Sequence, residues 1–181
     1  MHAGIRHPLT AMLLVCLLLG CKGTITSPEP LISPANASYP FPAMIEIEAR
    51  NLSEDHVWER SEGKGRLTLV DRTYRVTGPG DAAPSSDTYL FKQIRDGMYV
   101  VQASNGQEWA YGLIVHADAY YLFAFNLDKQ NCTNLSPAEL RRFNATIKDD
   151  GCSVSSMRDL TGLLLHLRQK FPYPTSAFTA R

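Results

Sequence analysis

Past the first twenty residues, His56, His116 and His166 are the chain's main groups for acid–base chemistry, and none stands in a pattern that catalysis requires. There is no His-Glu-x-x-His for a metal, no Gly-x-Ser-x-Gly elbow for a nucleophile and no Walker loop for a phosphate. His116 ends a predicted strand and His166 stands between Leu165 and Leu167 on a predicted helix, so both read as surface or structural histidines. A hydrolase would need His116 to meet a carboxylate and a nucleophile in one cleft. Gly63-Lys64-Gly65 lacks the spacing and the Ser/Thr of a phosphate loop and reads as a turn before a strand. Glu54-Asp55 and Asp149-Asp150 lie in polar stretches and read as solvated surface. The expectation is a non-catalytic protein with no cofactor and no metal.

Binding potential lies instead in aromatic density over residues 89–125. Strand alternation sets Trp109, Tyr111, Leu113 and Val115 on one face of a strand, and Ala110, Gly112, Ile114 and His116 on the other. In the following strand Tyr121, Phe123 and Phe125 oppose Tyr120, Leu122 and Ala124. Both faces carry apolar side chains, as when one meets a helix and the other is partly covered or concave. Trp109, Tyr111, Tyr121 and Phe123 are the candidate ligand-facing aromatics, suited to a glycan or to a small apolar molecule. The structural alternative is ordinary core packing.

The charge balance, 18 Lys+Arg against 18 Asp+Glu in 181 residues, argues against a nucleic-acid partner, because backbone affinity comes from neutralised phosphates. At the N-terminus Arg6 precedes an apolar run, Ala11–Leu19. Nine helical residues rise about 14 Å against about 30 Å of hydrocarbon, too short to span a bilayer. A charged start followed by a short apolar run is a secretory signal peptide, residues 1–20.

The run ends in Leu18-Leu19-Gly20-Cys21, which resembles the lipobox of bacterial lipoproteins. The resemblance implies cleavage before Cys21, lipidation of its thiol (with palmitate or a similar acyl chain added to the new N-terminus), and membrane attachment. Lys22, where Asp favours inner-membrane retention in that family, implies the outer membrane of a bacterial cell envelope. Cys16 leaves with the signal peptide and Cys21 is taken by lipid. Cys132 and Cys152 then remain as a pair in an oxidising compartment, which predicts a structural disulfide.

Three sections follow from these positions. Residues 21–42 read as the lipidated Cys and a tether, since Lys22–Pro42 holds five of the chain's 11 prolines and would reach up to ~60 Å as polyproline II. Residues 43–181 read as one domain. Met44–Ala49 alternates as a half-buried strand, and Arg66–Val70 with Thr73–Thr77 forms a hairpin about Asp71-Arg72. Strands over Thr88–Ile94, Met98–Ala103, Gln107–His116 and Tyr120–Asn126 make a meander, with a hairpin turn at Asn105-Gly106. Ser136-Pro137-Ala138-Glu139 caps a short helix, Pro137–Phe143. Ser156–Asp159 opens a longer helix whose Leu160, Leu163, Leu164, Leu167 and Phe171 share one face. The predicted fold is α+β: an antiparallel β-meander, as an open curved sheet or half-barrel, packed by a C-terminal amphipathic helix.

This pattern predicts a lipid-anchored envelope protein that presents a β-rich domain to a protein or an envelope glycan. One alternative is a carrier of a small apolar ligand or lipid beneath the long helix. Another is a eukaryotic secreted glycoprotein, because Asn36, Asn51, Asn131, Asn134 and Asn144 each begin an Asn-x-Ser/Thr triplet.

Overall fold

A computed structural model describes residues 25–52, 58–78, 84–104, 109–117, 120–123, 132–148, 151–171 and 176–180. The strands are β1 (Ile25–Ser27), β2 (Met44–Leu52), β3 (Trp58–Val70), β4 (Thr73–Thr77), β5 (Thr88–Arg95), β6 (Met98–Ser104), β7 (Trp109–Ala117) and β8 (Tyr120–Phe123), then β9 (Thr146–Lys148), β10 (Gly151–Ser153) and β11 (Ser176–Ala180). The helices are α1 (Pro137–Arg142) and α2 (Met157–Lys170), preceded by a 3-10 turn, Cys132–Asn134. The fold is α+β, with an antiparallel meander and a C-terminal helix packed on it, as the sequence pattern predicts.

The meander curls further than a half-barrel. Each of β2 to β8 pairs antiparallel with the next, and β11 lies between β8 and β2, so eight strands return on themselves. The sheet as a whole remains mixed and open at one edge. β7 carries β1 beside Trp109–Tyr111 and β8 beside Ile114–Ala117; β1 then pairs in parallel with β10, and β9 ends the row.

Local chemistry sets the turns. Asp71 and Arg72 both take positive φ (49° and 62°), the twist a two-residue hairpin between β3 and β4 needs. Gly97, at φ 63°, turns β5 into β6. Gly63-Lys64-Gly65 is not a turn: it lies within β3, where a Cβ on Gly65 would come 3.0 Å from the Thr77 carbonyl oxygen. Glycine there permits close strand approach.

Alternation along the circuit creates two cores. Ile45, Ile47, Leu67, Tyr74, Val76, Tyr89, Phe91, Val101, Ala103, Ile114 and Phe178 form an inner cluster drawn from around the ring. The opposite face of β5, β6 and β7 supplies Leu90, Met98, Val100, Tyr111 and Leu113 to an outer cluster closed by Leu160, Leu163, Leu164 and Leu167 of α2. All four leucines are fully buried, so the apolar stripe of α2 is spent on its own sheet. The Cys132–Cys152 disulfide, with Cα atoms 6.1 Å apart, ties the 3-10 turn to β10 within this outer core.

The segment read as tether is folded from Ile25 onward. Ile25 and Ile32 belong to the outer core and Phe41 to the inner one. Beyond the β1 ladder, part of its backbone finds partners in side chains. Ile32 N–H donates to Gln102 Oε1 (2.8 Å), Gln102 Nε2 donates to the Ile32 carbonyl (2.9 Å), and Leu31 N–H donates to Tyr111 Oη (2.9 Å). β4 and β5 pair only at Tyr74–Tyr89 and Arg75–Thr88, and beyond that point Ser38 takes over the edge of β5. Ser38 N–H donates to the Phe91 carbonyl (2.7 Å) and its Oγ accepts Gln93 N–H (3.0 Å). The domain therefore starts about eighteen residues before Ala43.

Candidate functional site

The candidate ligand-facing aromatics do not share a face. Trp109 and Tyr111 lie on the helix side of β7. Tyr111 is fully buried, with its hydroxyl 2.8 Å from Ser27 Oγ and donating to Gln102 Oε1 at 2.9 Å. Burial holds the Tyr111 phenol above its ordinary pKa, with the Ser27 and Leu31 hydrogen bonds working the other way. It is a structural pin for the N-terminal segment rather than a ligand contact. Tyr121 pairs with His116 across β7 and β8, which puts it on the inner face. The side chain of Phe123 lies outside the described residues, as do Phe125 and the Asn105-Gly106 turn.

At the end of the barrel where β7 passes to β8, the inner face meets solvent. The His116 ring stacks on Tyr121 (centroids 4.5 Å, planes 17° apart), and Tyr121 stacks on Phe178 (5.1 Å, 9°). Phe41 meets the edge of Tyr121 at 4.7 Å and also touches Phe91 (5.3 Å) and Tyr74 (5.8 Å). Phe41 is thus the hub that fills this end of the interior. Its backbone is fixed by Tyr74, whose hydroxyl donates to the Phe41 carbonyl at 2.6 Å. His116 is exposed, while Tyr99, Tyr121 and Leu69 are half-buried against the inner cluster. Burial, reinforced by the nearby Tyr99, raises the Tyr121 phenol pKa, so this ring is uncharged at neutral pH.

Such a mouth offers ring faces and a hydroxyl rim, which suit stacking against a flat apolar surface such as a sugar ring or a side chain. Among the described residues no carboxylate is hydrogen-bonded to the His116 ring. His166 is a satisfied structural histidine. Its Nε2 lies 2.8 Å from Glu139 Oε1, and Lys170 Nζ is 3.0 Å from the same oxygen, which joins α1 to α2. Glu139 also completes the α1 capping box by accepting Ser136 N–H (2.7 Å). That backbone bond first, then His166 and Lys170, hold the Glu139 carboxyl well below the ordinary carboxylate range. His56 lies outside the described residues. Among the described residues no three His, Cys, Asp or Glu side chains converge as a metal site.

Two residues with distinctive roles carry no motif. Gln102 is buried and holds Ile32 on both sides of its amide. Tyr89 is buried on the inner face with a hydroxyl that has no hydrogen-bond partner among the described residues, and burial pushes its pKa up, helped by Asp87. Two of the Asn-x-Ser/Thr asparagines serve local turns. Asn36 Oδ1 accepts Ser33 N–H (2.9 Å), and Asn144, at φ 47°, ends the turn after α1 and donates to Asp159 Oδ2 (3.2 Å). Comparison with protein-family models, with curated proteins and with solved structures finds no match.

Proposed function

We propose that this is a non-catalytic, lipid-anchored protein of the bacterial cell envelope, exported by residues 1–20, attached through Cys21, and working by contact with a protein or an envelope glycan. The observation that carries the contact reading is the barrel mouth: an exposed His116 stacked on Tyr121 and Phe178, backed by an interior already filled by Phe41, Tyr74 and Phe91. With eight strands an interior is just wide enough for side chains or for one small ligand, and here the described inner residues touch one another. That favours surface contact over carriage of an apolar ligand. The Cys132–Cys152 bridge supports an oxidising compartment. The Lys22 position favours the outer membrane over the inner.

Metabolic labelling with an alkyne fatty acid tests the anchor. The wild-type chain takes up the label and Cys21→Ala does not; an unlabelled wild type overturns the reading. A photocrosslinking residue at position 116 tests the mouth in intact cells. It is expected to capture a partner that the same residue at Lys64, across the barrel on β3, does not.

A further inference from the structure

The distance between the anchor and the folded body is short. Ile25 is fully buried, and β1 is clamped between β7 and β10, with Val154 N–H donating to the Thr26 carbonyl (3.0 Å) and Thr26 Oγ1 donating to the Cys152 carbonyl (3.3 Å). Only residues 22–24 separate Cys21 from Ile25, so even fully extended chain allows about 14 Å between them. A lipid on Cys21 sits at the edge of the hydrocarbon, beneath a headgroup layer of about 5–7 Å per leaflet. The domain then has no room to stand away from the bilayer.

The chain's exit also selects which surface faces the lipid. In the ladder Ile25 aligns with Cys152, and Cys152 aligns with Ile147 of β9, two strand spacings or about 10 Å away. β9 is the open edge of the sheet, all three of its residues are exposed, and Ile147 is one of the few large apolar side chains in the solvent, at 51% exposure. Lys148 follows it directly, and Arg141 and Arg142 lie exposed at the end of α1, just before β9. Asp149 and Asp150 follow Lys148 in the sequence, so the contact rests on the exposed isoleucine of an edge strand, an apolar group that can enter the headgroup boundary, and not on net positive charge.

We infer that the anchored domain lies flush on the phospholipid surface, with β9 and Ile147 seated among the headgroups. The inference rests on the lipid-anchored reading of Cys21. It replaces a domain held on a ~60 Å tether with one held at the membrane, and it turns β9 toward lipid.

The test uses membrane-extracted protein carrying Ile147→Trp or Lys64→Trp, reconstituted in phosphatidylethanolamine–phosphatidylglycerol vesicles with and without brominated acyl chains. The mass of the N-terminal peptide is read on the same samples. The Trp added at 147 is expected to be quenched two- to threefold more than the one added at 64, after subtracting the native signal, since interfacial side chains sit about 5–10 Å into the boundary. Inserting about twenty Gly/Ser residues after Lys22 is expected to bring the two positions together, because such a linker frees the domain. Equal quenching at 147 and 64 on an acylated chain overturns the flush orientation and leaves the anchor standing. An unacylated Cys21 overturns both.

Discussion

The two cores of this protein sit back to back on the same strands and are built differently. The outer core is leucine-rich, covalently stapled, and polar only where every group has a partner: Tyr111, Gln102 and Ser27 form one buried network with the N-terminal segment. The inner core is aromatic, held by ring contacts around Phe41, and contains the Tyr89 hydroxyl, which has no partner among the described residues. At its mouth it leaves His116 exposed and Tyr121 and Tyr99 half-buried. The difference separates two tasks. The helix side holds the chain together and ties the N-terminal segment down, while the barrel interior supports a ring surface that solvent can reach.

Breaking the helix side is expected to cost most. Leu163→Ala removes a fully buried side chain beneath α2 and is expected to lower unfolding free energy by about 3 kcal/mol in urea melts. Reducing the Cys132–Cys152 bridge, which closes a loop of 20 residues, is expected to cost a similar ~3 kcal/mol.

Two of the three fully buried tyrosines make a sharper pair. Tyr111→Phe strands the buried Leu31 N–H and takes one of two donors from Gln102 Oε1, which keeps Ile32 N–H, and is expected to cost about 2 kcal/mol, whereas Tyr89→Phe removes a hydroxyl with no partner among the described residues and is expected to be neutral or stabilising. Equal losses would erase the distinction between the cores.

Glu139 gives the comparison a pH axis. Its folded-state pKa lies below the unfolded value, so its contribution is present above the ordinary carboxylate pKa and fades as pH falls through the folded value. Glu139→Gln is therefore expected to be less stable than wild type at pH 7, with the gap narrowing as thermal melts are taken below about pH 4. A gap that widens on acidification contradicts the role given to Ser136, His166 and Lys170.

The smallest structural effect is expected at the mouth. His116→Ala should change stability by no more than about 0.5 kcal/mol while weakening crosslinking from a reporter placed at Tyr99.

Much of this fold was legible from local pattern. The alternation of Ile45 and Ile47, the Asp71-Arg72 turn, the capping box at Ser136–Glu139 and the leucine stripe of α2 are short-range signals, and each sets its element directly. What escaped depends on contacts far apart in sequence. Five prolines disguise residues 25–42 as tether because their partners lie far away in sequence, Leu31 and Ile32 on side chains 70 to 80 positions away and β1 on strands still further on. The isolated Ile25, Ile32 and Phe41 were the available signal, apolar residues with no periodicity to announce a ladder. β1, β9 and β10 are three residues each and β11 follows a Pro-containing stretch, all too short or interrupted for a period to show. The candidate aromatics divided between faces because the face of Tyr121 depends on how β8 registers against β7, and a slip of one residue reverses it.

The central claim is that the folded body begins at Ile25, directly after the proposed anchor. Hydrogen exchange measured on the amides of Leu31, Ile32, Ser38 and Phe41 tests it most directly. Protection comparable to that of β5 and β6 is the predicted result. Exchange of all four at the rate of unstructured chain would restore the long tether and contradict the account.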